Sequence, residues 1–431
     1  MTENPGGGDL SQLRRLNALA VLDALRGEPA LTLTLTELAG RTGLSRASTE
    51  DVVRELVERG WVAEVAPAPG TLGRPARRYR FRSDAGRVLG VDIGGHKVLA
   101  MVADLDGEVR HGARVAVTPA MGRTRRLAAV DEAVRAALAG SGTDAAGVWA
   151  TGVATTGLVD GTGRVMLSEA LPEWTGLDVA GHVGGLVTGP VLVENDAKLA
   201  ALAESWRGVA LHAKDVVFLL AGLRTGTGLI IDGKLHRGFG NAAGEIGALP
   251  AVGWLRAPGH LRAWRGGART GGGVDAGERV SPGGDVDGGA GRTGGAGRGG
   301  GGVDPRAADD PRDAVEAVFR AARSGDRTAL AAVRRYVRAL AVGTSALVLT
   351  LDPELVVVGG GISRAGDLVT EPLRRELDRW CIRTPEVRVS RFGDEGVALG
   401  ALRLALDHVD RGLRAPGEIA PADSFRPPGR A

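Results

Sequence analysis

The chain has 431 residues, enough for two to four domains, and 43% of them are hydrophobic, enough to fill proper cores. Aromatic residues supply only 3% and the formal net charge is +3, so the cores must use small aliphatic side chains and any nucleic-acid site must be a local basic patch. A single cysteine, Cys381, excludes an intramolecular disulfide and a multi-thiolate zinc site within one chain.

Residues 1–9 contain no basic segment followed by an apolar stretch and read as a disordered N-terminus. No apolar run is long enough to span a bilayer, Val216 to Leu223 being among the longest, so the expectation is a cytoplasmic protein with no membrane partner. Leu13, Leu16, Leu19, Leu22 and Leu25 then recur at helical spacing and predict a helix over Leu10–Arg26, with Gly27 after it. A second helix starts near Thr36 and stops at Arg41-Thr42-Gly43-Leu44. Ser45 is a good N-cap for a third, whose buried stripe is Val52, Val53, Leu56 and Val57 and whose end is Gly60. Two helices joined by such a turn form a helix-turn-helix, whose second helix enters the major groove through its N-terminal residues, here Ser45, Arg46, Ser48, Thr49 and Glu50.

Trp61–Val65 and Arg77–Arg82 read as two strands of a wing joined by a Pro/Gly-rich turn. From Gly73 to Arg82 the chain holds Arg74, Arg77, Arg78, Arg80 and Arg82 with no acidic residue, and Arg74, Arg77 and Arg78 are the candidate phosphate contacts. Turn, cap, wing and basic cluster in this order favour a DNA-binding domain over residues 10–84 above an ordinary helical hairpin with a solvated arginine face. Glu50 and Asp51 oppose it: carboxylates beside a groove repel phosphate, although an acid can accept a hydrogen bond from cytosine N4.

Next comes the hairpin Val91-Asp92-Ile93-Gly94-Gly95-His96-Lys97 between apolar strands. Glycines at its tip let backbone N–H groups approach an anion, though such a turn is more often only a tight hairpin. Asn195 and Asp196 follow the buried strand Val191–Val193 and open the helical run Ala197–Ser205. They stand at a strand's C-terminal end, where open α/β sheets bind ligands, with helix capping as the plainer use. The run 266–305 is glycine-rich with scattered Arg and Asp, a composition that cannot repay its ordering entropy, and is expected to be a disordered insertion. Val356–Val358 leads into Gly359, Gly360 and Gly361, a strand-to-helix turn where a nucleotide fits; a tight connection required by the fold is an equal alternative. An Ala/Leu-rich helix follows over 394–409, and the tail 411–431 is expected to be disordered.

In order and spacing these pieces resemble the ROK family (repressor, open reading frame, kinase). The resemblance adds Gly152–Asp160, the Trp174 segment, Gly244-Glu245-Ile246-Gly247 and the wing motif Gly73-Arg74-Pro75-Ala76, which looks like the repressor branch. It implies an α/β chain: an N-terminal winged helix-turn-helix followed by an actin-like (ribonuclease H-like) two-lobed sugar-kinase fold. The lobes would be 86–195, with helix 394–409 packing back on it, and 196–393. In kinases of the family the residue matching Asp196 is the catalytic base, while Asn195, Asp196 and Glu245 would bind sugar. Asp92, Gly94, Gly95, Gly226, Gly228, Gly359, Gly360 and Gly361 would lie along phosphate and nucleotide.

Four departures separate this chain from the kinase pattern. His96 replaces Thr, Leu223 and Arg224 enter the second phosphate loop, Ala248 stands where a His is expected, and the cysteine-rich zinc module is missing. No zinc, other metal or cofactor is therefore expected, with ATP and Mg²⁺ relevant only to a kinase. The resulting expectation is a sugar-responsive transcriptional regulator, read as a repressor, whose degenerate kinase cleft binds an effector. Its partners would be operator DNA, a sugar and further copies of itself, a homodimer being the simplest. The alternative is an ATP-dependent, glucokinase-like hexose kinase acting through Asp196. The sequence leaves open the sugar, the operator and the sign of regulation.

Overall fold

The computed structural model describes residues 7–26, 31–66, 76–222, 224–264 and 311–427. Arg74, Leu223, residues 1–6 and the glycine-rich run 266–305 lie outside the described residues.

The N-terminal head is built from local signals. Helix α1 (Gly7–Leu25) starts before Leu10, which corrects the expectation of disorder for residues 7–9. Helix α2 (Leu35–Thr42) is opened by a capping box, in which Thr34 accepts the Glu37 N–H at 3.2 Å and the Glu37 carboxylate accepts the Thr34 N–H at 2.7 Å. Gly43 ends it at φ 72°, a conformation other residues seldom adopt. Helix α3 (Arg46–Glu58) is capped by Ser45, whose hydroxyl accepts the Ser48 N–H at 3.1 Å. Strands β1 (Val62–Val65) and β2 (Arg78–Phe81) pair antiparallel, and Leu33–Thr34 adds a short strand on the other side of β2. Leu22, Leu25, Leu38, Leu56 and Trp61 are buried between these elements.

Two five-stranded sheets of equivalent order follow. The first contains β3 (Arg87–Ile93), β4 (Lys97–Asp104), β5 (Val109–Ala116), β6 (Val148–Thr155) and β7 (Val191–Asn195). Helix α4 (Arg123–Ser141) covers β4 and β5. After helix α5 (Asp196–Arg207), the second sheet contains β8 (Val216–Ala221), β9 (Thr225–Ile231), β10 (Lys234–His236), β11 (Leu355–Gly359) and β12 (Glu386–Val389). Helices α6 (Pro311–Arg323), α7 (Arg327–Leu351) and α8 (Asp367–Trp380) belong to this second lobe, and α9 (Gly396–Leu413) follows it. In each sheet the first strand is central, with its second and third strands antiparallel on one side and its fourth and fifth parallel on the other.

The lobes exchange helices. Helix α5 leaves the first sheet to pack on β8 and β9 of the second, while α9 leaves the second lobe to pack on β3 and β6 of the first. The two helices meet face to face. A Cβ on Gly400 of α9 would overlap the Leu199 carbonyl of α5, and a Cβ on Gly90 or Gly152 would overlap α9 from the sheet side. Glycine at these positions permits a close approach that any side chain would break.

The tail departs from its expectation. Helix α9 continues through Arg411 to Leu413, and the segment after it stays packed as far as Pro427 with Ile419 and Ala422 buried. Composition suggested disorder because proline and glycine make up a third of residues 411–431; Ile419, Ala422 and Phe425 pack on the core and, with hydrogen bonds from Arg59 and Trp61, hold the segment down.

Candidate functional site

The cleft between the lobes collects charged side chains at the ends of β3 and β7 and the start of α5. Strand β7 delivers Glu194 and Asn195, and α5 opens with Asp196. Asn195 caps α5: its Oδ1 accepts the Ala197 and Lys198 N–H groups at 2.9 and 3.2 Å, and its Nδ2 donates to the Gly157 carbonyl at 3.0 Å. Capping and ligand contact compete for this side chain, and the cap takes all of its carbonyl oxygen. Asp196 is pushed up from an ordinary 3.8 to about 7, first by burial and then by the neighbouring Asp92 and Glu245 carboxylates.

Asp92, almost fully buried, is held by the Lys97 ammonium at 2.5 Å, and the same ammonium donates to the Asp394 carbonyl at 2.5 Å. Gly94 and Gly95 have ordinary negative-φ backbone, so they keep space at the hairpin tip rather than supply a special turn. Glu245 begins a short 3₁₀ turn after Gly244, which has φ 89° and would place a Cβ against Thr227. Glu245 is open to solvent at the cleft edge; crowding around its carboxyl raises its pKa and the Lys198 ammonium lowers it.

Beneath these residues lies a charge network that the sequence did not announce. Lys198 is 1% exposed, stands 3.9 Å from the Glu194 carboxylate and donates to the Asn241 carbonyl. Glu194, also buried, accepts Arg237 Nε at 2.6 Å, and Asn241 donates to the Val159 carbonyl at 3.0 Å. The network joins the first lobe, α5 and the loop that leads to Glu245. A lone lysine in the apolar run Ala197–Leu202 is the signal that could have found it, since an unpaired buried ammonium is too costly to occur without partners.

The phosphate-loop positions are used differently from the kinase pattern. Gly226 and Gly228 are strand residues of β9, paired with Leu220 and Phe218, and a Cβ on Gly228 would strike α5. Close helix packing accounts for Gly228 without a phosphate. Arg224 reaches across to the first lobe, donating to the Glu169 carbonyl at 2.8 Å and its carboxylate at 3.3 Å. Gly359 and Gly360 lie against Phe218 and Ala221, whereas Gly361 faces open space. Helix α8 begins only at Asp367, after a 3₁₀ turn over Gly361–Ala365. His96 leaves its buried Nε2 without a protein partner. Among the described residues, no three His, Cys, Asp or Glu side chains cluster as a metal ion would require.

In the head, α3 presents Arg46, Glu50, Asp51 and Arg54 outward, with Arg54 and Asp51 paired at 2.8 Å. Thr49 is corrected: it is fully buried and its hydroxyl donates to the Ser45 carbonyl at 2.9 Å, so it packs the helix and reads no base. The wing arginines also have acidic or carbonyl partners that come from outside their own segment. Arg77 lies 3.4 Å from Glu64, Arg78 holds Thr32 and Glu37, Arg80 pairs with Asp84 at 2.8 Å, and Arg82 donates to the Gly60 carbonyl. Arg46 and Arg77 are exposed at this surface, Arg46 donating to the Thr36 hydroxyl at 3.4 Å and Arg77 lying beside Glu64.

A model of the ROK family matches residues 88–408, most of the chain. The chain belongs to the ROK family. Residues 16–66 of this ROK protein match the IclR helix-turn-helix domain, a span that runs from the middle of α1 through β1. The chain is 22% identical to a xylose repressor of Caldicellulosiruptor bescii over 93% of its own length and 97% of the relative's. It is 26% identical to a ROK family glucokinase from Streptomyces griseus, solved in complex with glucose and AMPPNP, with a TM-score of 0.54 over 75% of this chain and all of the other. A ROK family transcriptional regulator, a homolog of the E. coli MLC protein, shares the fold with a TM-score of 0.63 and 18% identity, over 91% of this chain and 96% of that one. Among the described residues of this ROK chain, no helix is long and apolar enough to cross a membrane.

Proposed function

We propose that this ROK protein is a sugar-responsive transcriptional repressor that reads operator DNA with α3 and the wing and binds a neutral pentose or hexose in the cleft. The observation that carries the reading is a helix-turn-helix head joined to a sugar cleft whose phosphate loop is engaged elsewhere, Arg224 crossing to Glu169. Hydroxyl contacts come from Glu245, Asp196 and the remaining Asn195 Nδ2 proton. The similarity to a xylose repressor supports a pentose as the first candidate. On this reading sensing needs neither nucleotide nor zinc, which is supported by the Lys97 cation beside Asp92 and by Ala248, a side chain that offers no ligand. Two copies reading a two-fold operator in the cytoplasm complete the proposal. The sugar acts by binding one lobe arrangement better than the other, since equal affinity for both would shift nothing.

The second reading, an ATP-dependent hexose kinase, is favoured by one observation. Asp196 at about 7 is poised as a base near neutral pH. Calorimetric titration of a pentose, hexose and amino-sugar panel without nucleotide, beside an assay of ADP release with ATP and Mg²⁺, separates the two. Heat of binding without ADP release is the expected result. Sugar-dependent ADP release overturns the sensor reading.

A further inference from the structure

Helix α9 joins the cleft to the head through an unbroken set of packed residues. It begins beside Asp394, whose carbonyl accepts the Lys97 ammonium and whose carboxylate accepts Arg364 at 2.9 Å. Its middle is pressed between α5 and the first sheet at Gly400, Gly90 and Gly152. After 18 residues, about 27 Å of helix, it runs into a C-terminal strap over Arg414–Arg426.

The strap grips the C-terminal end of the DNA-reading helix. Arg59, which caps α3, donates to the Ile419 carbonyl and to the Glu418 carboxylate at 3.0 Å, while its own carbonyl accepts the Ala422 N–H at 2.8 Å. The Trp61 indole N–H donates to the Ala420 carbonyl at 2.8 Å. Phe425 meets Trp61 edge-on at 5.4 Å and stacks on Trp149 of β6 at 5.6 Å. Ile419 and Ala422 share one core with Trp61 and with Leu402, Leu406 and Leu413 of α9. Arg26 at the end of α1 adds an ion pair to Asp410 at 2.7 Å, and Arg414 pairs with Asp23 at 2.5 Å.

We propose that the strap Arg414–Arg426 positions the DNA-reading helix on the first lobe, and that α9 carries to it the lobe movement produced by a bound sugar. The proposal rests on the DNA-reading and sugar-sensing function above. A helix packed backbone-to-backbone on two sides cannot absorb a change in its angle to α5, so its far end moves. Because the strap bonds to the last turn of α3 through backbone groups, α3 follows. The head is thus an extension of the first-lobe core and not a tethered module.

The test uses the full chain and its Phe425→Ala and Trp61→Phe variants, with a form ended after Leu413 as the extreme case. Amide hydrogen exchange is read over 46–65 and 396–427, with 216–231 as the control, beside affinity for a duplex that the unaltered chain selects from a random-sequence pool. In Phe425→Ala, exchange over 46–65 rises while 216–231 stays unchanged, and duplex affinity falls about tenfold as the competent head orientation becomes a minority. Trp61→Phe keeps an aromatic ring, loses the indole hydrogen bond and moves both readouts less in the same direction; it decides by the same criterion if Phe425→Ala also loosens 216–231. Unchanged exchange and affinity in these variants overturn the strap. With D-xylose or D-glucose as probe, whichever gives heat of binding alters exchange over 396–427 and 46–65 together; binding that leaves 396–427 unchanged overturns the route through α9. A chain that selects no duplex overturns the DNA-reading function instead, and the exchange readout still decides the strap.

Discussion

The cleft and the head handle charge in opposite ways. In the cleft, Lys198, Glu194 and Asp92 are buried and each is held by partners from another element, so the charges that hold the fold adjoin the side chains proposed to bind sugar. In the head, Arg46, Glu50 and Arg77 stand on the surface with weak or solvent-screened partners, and fold stability comes from apolar side chains that form one core with the first lobe. The difference teaches where mutations separate binding from folding: head substitutions can, and most cleft substitutions cannot.

The largest effect tests the junction on which the cleft depends. Gly152→Val drives a side chain into the α9 backbone and is expected to cost about 4 kcal/mol or more, read as loss of soluble folded protein or a collapsed urea midpoint. A variant of near-normal midpoint would show that α9 is not close-packed there. Next, Lys198→Met leaves Glu194 and Glu245 without their shared cation and should lower stability by about 3 kcal/mol in chemical denaturation. A neutral result would put the network's energy elsewhere and blur the contrast with the head.

A pH series sharpens the comparison further. Asp196 keeps its proton to about pH 7 when folded but only to about 3.8 when unfolded, so folding takes up a proton between those values and stability falls as pH rises through that window. Asp196→Asn removes that slope, and its melting temperature relative to the unaltered chain should rise from pH 5 to pH 8. Parallel curves would contradict the burial of Asp196 and its crowding by Asp92 and Glu245. The smallest effect on stability belongs to the head. Arg46→Ala and Arg77→Ala should each leave the melting temperature unchanged, within about 0.5 kcal/mol of stability, while the slope of log affinity against log salt for DNA flattens by about 0.9 per lost phosphate contact. An unaltered slope would remove these residues from the interface.

Local signals were legible in the sequence wherever a few adjacent residues determine the outcome. The Ser45 cap and the Gly43 turn needed only neighbours a few positions away. The two-lobed architecture was legible through the ROK resemblance, because motif order preserves topology. Long-range pairing was not legible. Thr49 looked available at a helix start but lies on the buried face of its helix, and the wing arginines looked free because Glu37, Glu64 and Asp84 lie outside the segment. Lys198 could be counted but not paired, since Asn241 is far along the chain and is brought back by the loop after β10. The tail was misread for the same reason: Ile419, Ala422 and Phe425 find their partners at Trp61 and Trp149, hundreds of residues earlier.

The most direct test of the account is fluorescence anisotropy of the full chain on its own promoter region against unrelated DNA at moderate salt, with a sugar panel added and nucleotide withheld. The account predicts preferential binding to the promoter that one sugar of the panel releases without ATP. Equal binding to both DNAs, or release that requires ATP, would contradict it.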